Sequence, residues 1–235
     1  MKTNQEFKNE ALAALHGNWG KAVVATLLVI IFAAICQGPS SVMSAMNQEQ
    51  MQSLAQYGDT AGIMTLYGSM LRVSGAAFLL MVFFFHPVVL GYENAMVGLL
   101  YREEREITPN MFHIAFSNYW HKVGGMVWMY ILVALWSLLF VIPGLIKAFS
   151  YAMTPYILHE NPELSITEAI HRSRMMMRGH KFDLFWLYLS FIGWILLAIM
   201  TAGIGFLWLT PYMETAQAAF YNEVKADYAV RGGLD

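Results

Sequence analysis

Charge is absent from three long stretches of this chain: the 20 residues Val73–Tyr92, the 24 residues Val123–Ile146 and the 30 residues Leu184–Met213. Apolar positions fill them on every face, whereas a soluble helix confines them to one stripe. About 20 apolar residues of helix cross a bilayer core of about 30 Å. The longest stretch would reach about 45 Å as a single helix, and it offers a break at Thr201-Ala202-Gly203-Ile204-Gly205. A second break stands at Pro143-Gly144. With the apolar run after Lys21, the pattern predicts six spans, at about 22–38, 72–98, 123–141, 144–159, 182–200 and 204–222. The expected fold is all-α, a polytopic membrane protein forming one transmembrane domain over residues 1–235. Gln37–Thr65 is polar and Met-rich, and is expected as the one sizeable outer loop, with a short surface helix over Gln48–Tyr57.

Each pair of spans follows the same prelude. A short amphipathic helix opens at Thr3-Asn4-Gln5-Glu6, at Thr108-Pro109 and at Ser165-Ile166-Thr167-Glu168. The first and third openings place a Glu three residues after a Thr or Ser, the capping-box pattern, and Thr108-Pro109 supplies N-cap and N1 chemistry. A corner with a lysine follows each helix: Trp19-Gly20-Lys21, Trp120-His121-Lys122 and Gly179-His180-Lys181. The expected architecture is therefore three pseudo-repeated hairpins, each preceded by an amphipathic helix that lies in the interface or caps the bundle. Trp19, Lys21, Trp120, Lys122, His180 and Lys181 are the expected anchors at headgroup level.

Composition and charge fix the class and orientation. Hydrophobic residues make up 57% and charged residues 13%, far from the roughly 25% charged residues of soluble domains. Lys2, Lys8, Lys21, Arg102, Arg105, Lys122, Arg172, Arg174, Arg178, Lys181, Lys225 and Arg231 account for twelve of the fourteen basic residues. Six crossings put all twelve on one face, which the positive-inside rule makes cytoplasmic, with both termini on that side. Arg72 and Lys147 are left for the other face, where Lys147 is expected to snorkel outward. The single cysteine, Cys36, excludes an intramolecular disulfide. No basic stripe interleaved with aromatics points to nucleic acid.

Candidate chemistry sits at depth. Proline marks the second helix of each hairpin, in His86-Pro87…Tyr92-Glu93, Thr154-Pro155-Tyr156 and Thr210-Pro211-Tyr212-Met213-Glu214. Proline inside a helix removes a hydrogen bond and kinks it, so these three helices can splay around a cavity. Ionisable groups inside a membrane normally face the bundle and mark a pathway or a partner. His86, Glu93, Tyr156, Tyr212 and Glu214 thus form the candidate intramembrane polar site. His16, His121 and His180 share the three corners, but no i, i+4 pair or cysteine joins them, so neither a metal nor a cofactor is expected. Hydrolase, zinc-protease and phosphate-loop motifs are absent from the sequence.

Leu139-Phe140-Val141-Ile142-Pro143-Gly144-Leu145-Ile146-Lys147, Tyr151-Ala152-Met153, Glu160-Asn161-Pro162, Glu168-Ala169-Ile170, Ser190-Phe191-Ile192-Gly193-Trp194, Pro211-Tyr212 and Phe220-Tyr221 together resemble the bacterial membrane family called domain of unknown function 975. A fainter likeness is to the membrane portion of glycerophosphodiester phosphodiesterases, without their soluble catalytic domain. The first resemblance implies no catalytic residues. The expected function is binding or passage of a lipid or other amphiphile in a cavity among kinked helices. The alternatives are an embedded enzyme acting on lipid headgroups and a scaffold for a membrane-protein partner.

Overall fold

The structure, a computed structural model, describes residues 1–101 and 106–232. The described residues form helices and turns, with no strand. Five helical stretches are long and apolar enough to cross a bilayer: Trp19–Gln56, Thr60–Tyr101, Tyr119–Leu138, Val141–Glu160 and Lys181–Met200. The chain is a multi-pass membrane protein. Arg102 and Arg105, two of the twelve basic residues assigned to one face, lie outside the described residues. The chain divides into two compact units, Leu28–His86 and Met1–Leu27 with Pro87–Asp235.

In the first of these units, α2 (Trp19–Gln56) continues through Pro39 and α3 (Thr60–Leu80) follows after a three-residue turn. The expected outer loop Gln37–Thr65 is therefore a helical hairpin, and the surface helix over Gln48–Tyr57 is simply the end of α2. Its serines are satisfied within the helix. Ser40, Ser41, Ser44 and Ser53 donate back to the carbonyls of Gln37, Gly38, Ser40 and Gln50, which keeps polar side chains satisfied along a helix. Asp59 accepts from the Gly62 N–H at 2.9 Å and starts α3. Just before Pro87 the helix widens into a π segment, Met81–Phe85, and the His86 N–H reaches Met81 O five residues back. Such a widening is a known accommodation beside a residue that cannot donate.

The second unit is built around α12 (Phe206–Val230). Leu209, Pro211, Tyr212, all of Thr215–Tyr221 and Val224 are buried along it. From Leu209 to Val224 its buried positions face its neighbours, and there it can carry Glu214 and Gln217. That is why it is missing from the five apolar helices, and why the expected sixth span does not stand out.

Short helix α1 (Asn4–Leu15) has the expected capping box, with Thr3 and Glu6 exchanging bonds. It lies lengthwise along α12. Lys2 pairs with Glu223 at 3.6 Å, the rings of Phe7 and Phe220 are 5.6 Å apart, and Leu12 shares a hollow with Leu209 and Tyr212. Phe7, Ala11 and Leu15 are buried. Lys8 donates to the Ser190 carbonyl at 2.7 Å, and burial lowers its ammonium below the ordinary lysine range. The helix α9 (Ile166–Met176), capped by Ser165 and Glu168, likewise buries Ala169, Ile170, Ser173 and Met176. Packing partners on α6 (Tyr119–Leu139), α7 (Val141–Tyr151), α8 (Thr154–Glu160) and α12 surround it. Both apolar stripes thus face protein rather than headgroups.

Helix α4 (His86–Tyr101) enters this unit at Pro87 and packs on α5 (Ile107–Phe116) at Gly91, where a Cβ would lie 2.2 Å from the Met111 carbonyl. Helix α5 begins at Ile107, so Thr108 is not its N-cap, and Glu106 in that place makes no side-chain cap. Pro109 still falls in the first turn, where its missing N–H has no helical partner to lose.

The hairpin of α6 (Tyr119–Leu139) and α7 (Val141–Tyr151) turns at extended Phe140, three residues before the expected Pro143. Gly144 lets the two arms close, since a Cβ there would sit 2.2 Å from Ser137 Oγ. Pro155 opens a separate helix, α8 (Thr154–Glu160), rather than kinking a continuous one. The last hairpin pairs α10 (Lys181–Leu189) and α11 (Ile192–Met200) with α12 through the expected Thr201–Gly205 turn, where Ala202 and Gly203 take positive φ. Exposed large apolar side chains concentrate along Trp128–Ile146 and Phe182–Trp208, the surfaces suited to lipid.

Two placements depart from the six-span reading. Trp19 lines one hollow with Thr201 and Gly205, a turn that six crossings would put a bilayer away. Lys147 stacks over Trp136 at 4.4 Å and lies within electrostatic reach of Arg174 and Lys181. It therefore shares their end of the unit and does not snorkel to an opposite face.

Candidate functional site: a cavity with two buried carboxylates

Six helices, α4, α6, α7, α8, α10 and α12, contribute to one cavity of about 270 Å³. From α4 comes Glu93, and from α12 come Glu214 and, one turn on, Gln217. Met126, Met129 and Tyr130 of α6 form an opposing wall, with Tyr151, Pro155 and Tyr188 completing it. Position along α4 is fixed by Glu93's neighbours. The Tyr92 and Thr26 hydroxyls are 2.7 Å apart, and Asn94 donates to the Pro155 carbonyl at 3.3 Å. Tyr188 donates to Gln217 Oε1, and Thr215 donates to the Pro211 carbonyl at 2.7 Å. Tyr92, Asn94, Thr215 and Gln217, beside the carboxylates in sequence, thus have partners of their own.

The carboxylates are not fully engaged. Oε2 of Glu93 and Oε2 of Glu214 are both buried without a hydrogen-bond partner. A buried acceptor left unpaired costs about 1–3 kcal/mol, and more when charged. The two groups lie within electrostatic reach of each other. Tyr156 is fully buried, stacked on Tyr221 at 4.6 Å, with its own hydroxyl unpartnered and within reach of both carboxylates. Tyr221 donates to Glu160 at 2.7 Å, and Lys225 takes the same carboxylate oxygen. The arrangement can accept hydrogen bonds or positive charge from a guest, against walls of thioether and aromatic carbon.

The five residues expected as one polar site separate into three places. Glu93 and Glu214 share the cavity, and Tyr156 stands close to both. Tyr212 instead meets Phe191 edge-on at 5.1 Å and lines an apolar hollow of about 420 Å³ with Trp19, Trp194 and Trp208. His86 belongs to the other compact unit, its ring 5.8 Å from Phe85. Tyr130, Tyr188 and Gln217 were not expected. Gln217 carried a signal, being a polar residue one helical turn from Glu214.

The expected anchors also diverge. Trp120 is exposed, and Lys21 pairs with Glu106 at 3.1 Å. Lys122 is buried: its ammonium meets the Ile114 carbonyl at 2.5 Å and Ser117 Oγ at 2.9 Å. It caps the C-terminal end of α5, where carbonyls lack helical partners and a cation is favoured. His180 bridges Asp183 at 3.1 Å and Asp227 at 2.9 Å. Those contacts tie the start of α10 to the end of α12. The His180 hydrogen bond, with Arg231 beside it, holds the Asp227 carboxyl below its ordinary value. Lys181 lies at the mouth of an apolar groove.

Fold and cavity define a helical multi-pass membrane protein with a polar pocket inside its bundle. A family model described as "Protein of unknown function (DUF975)" matches residues 107–228. That is just over half of the chain, which therefore belongs to this family. No curated protein and no solved structure matches the chain, and the likeness to glycerophosphodiester phosphodiesterases finds no counterpart in these comparisons.

Proposed function

We propose that this protein binds or passes a lipid or other amphiphile through the cavity of Glu93 and Glu214. One observation carries the reading: two buried carboxylate oxygens without partners at the wall of a hollow otherwise lined by Met and Tyr. Membrane proteins keep such costly groups for a guest, a proton or a path. The amphiphile's polar head would complete the unpaired acceptors while its chain lies against Met126 and Met129.

The same proposal places both termini at the cytoplasmic face of a bacterial inner membrane. Proximity of Lys2 to Glu223 supports a shared face for the two ends. Recurrence of a positive-φ residue at the three corners, Gly17, Asn118 and Gly179, supports a repeated helix–corner–helix plan.

Native mass spectrometry of the protein released from gentle detergent tests the function. A discrete adduct surviving delipidation is expected for the wild type, and weakened retention for Glu93→Gln and Glu214→Gln. A bare mass after exposure to several lipid extracts would refute the proposal. An enzyme acting on headgroups is the second reading favoured by the paired carboxylates. It requires product to accumulate from the retained lipid, and the Gln variants to hold ligand without turnover.

A further inference from the structure

A second hollow, of about 470 Å³, lies between α7 and α10. Its floor is apolar: Ile142, Leu145 and Phe149 face Phe182 and Phe185, with Phe149 and Phe185 edge to face at 6.1 Å. Its mouth is cationic, lined by Arg178 and Lys181 on either side of the corner. Between them Gly179 has φ +94°, and nothing lies within 4 Å of where its Cβ would be, so the mouth is open.

The charge at this mouth is not neutralised by the protein. Among the described residues neither Arg178 nor Lys181 makes an ion pair. The nearby carboxylates are already taken, Asp183 by His180, and Asp227 by His180 and by Arg231 at 2.6 Å. Lys147 and Arg174 add further positive charge within electrostatic reach of one another, and Lys147 also feels Lys181. Surplus cations over an exposed aromatic groove match a molecule with an anionic head and a hydrocarbon tail. Basic pockets between membrane helices commonly serve acidic lipid heads. A zwitterionic lipid gains little there, because its own ammonium opposes the site.

We infer that the α7–α10 groove is a binding site for an anionic phospholipid, with its phosphate between Arg178 and Lys181 and one acyl chain along Phe149, Phe182 and Phe185. This site is independent of the Glu93–Glu214 cavity, with which it shares no lining residue.

The test is native mass spectrometry of the full chain in detergent, titrated with phosphatidylglycerol and with phosphatidylcholine of identical chains. The wild type is expected to retain its first phosphatidylglycerol at roughly thirtyfold lower concentration than phosphatidylcholine, from two cations near the surface. The double variant Arg178→Gln/Lys181→Gln should lose that preference, while Arg178→Lys/Lys181→Arg should keep it and so exclude a folding defect. Equal retention of the two lipids by the wild type, or an unchanged preference in the Gln variant, would overturn the inference. Displacement of phosphatidylglycerol by millimolar glycerol 3-phosphate would do the same, because it would mark a site for free anions.

Discussion

The ammonium of Lys122 lies 2.5 Å from the carbonyl oxygen of Ile114, eight residues earlier in the chain. A side chain that reads as an interfacial anchor is thus folded back to close the end of α5, and it also donates to Ser117 Oγ. Hydrogen bonds from a charged donor are worth about 1.5–3 kcal/mol. Lys122→Met keeps the length and removes the bonds, so it should lower stability by about 2 kcal/mol. Lys21→Met removes an exposed pair with Glu106 and should stay within about 1 kcal/mol of wild type. Unfolding in mixed micelles, titrated with denaturing detergent, distinguishes the two; equal losses would contradict the capping role.

Gly91 is where α4 and α5 touch backbone to backbone. Any side chain there must push the Met111 carbonyl away. Gly91→Val is expected to destabilise by about 1–3 kcal/mol, the usual range for overpacking. Gly20, which has open space around it, serves as the comparison, and Gly20→Ala should leave the midpoint almost unmoved.

Acid should loosen the latch between α10 and α12. Asp227 is held below its ordinary value by His180 and Arg231, so the folded state binds its proton less readily than the unfolded state does. That contribution is fully present above the unfolded carboxyl range near 3.9 and is lost as pH falls through the lower folded value. Thermal unfolding of wild type and Asp227→Asn should therefore differ at pH 7 and pH 5, and the difference should shrink toward pH 3. A gap that stays constant over this range would rule out the ionised latch.

Trp19 and the Thr201–Gly205 turn share one hollow, which fixes a distance the six-span reading would make very different. Spin labels at His16→Cys and Ala202→Cys, in a Cys36→Ser background, should report a separation well below the about 30 Å of a hydrocarbon core. A separation at or above that thickness would restore the six-span arrangement.

Local signals in the sequence were reliable where the structure depends on them. The capping boxes of Thr3–Glu6 and Ser165–Glu168 are formed, and the Thr201–Gly205 break is a turn. Errors arose where long-range packing decides. Polarity in Gln37–Thr65 suggests a loop, yet α2 runs on to Gln56, and its Asn47 and Met51 share a hollow with Tyr67 and Met70 of α3. Nothing in the spacing of α1 announces α12 as its partner. Glu93 and Glu214 were legible as buried charges, and they do meet at one cavity, whereas the tyrosines around them come from helices whose facing sides no single-segment pattern reveals. Tyr212 follows the same Pro-Tyr mark as Tyr156 but points into a different hollow.

The burial of α12 also bears on how the chain is completed in the cell. Phe7 meets Phe220, so the apolar stripe of α1 is covered by a helix some two hundred residues further along the chain. Contacts so distant in sequence form slowly, and until they form α1 and α12 each keep a bare apolar face. The seam between them is therefore the long-range join of this unit, and a chain cut short before α12 would leave α1 without the surface it covers.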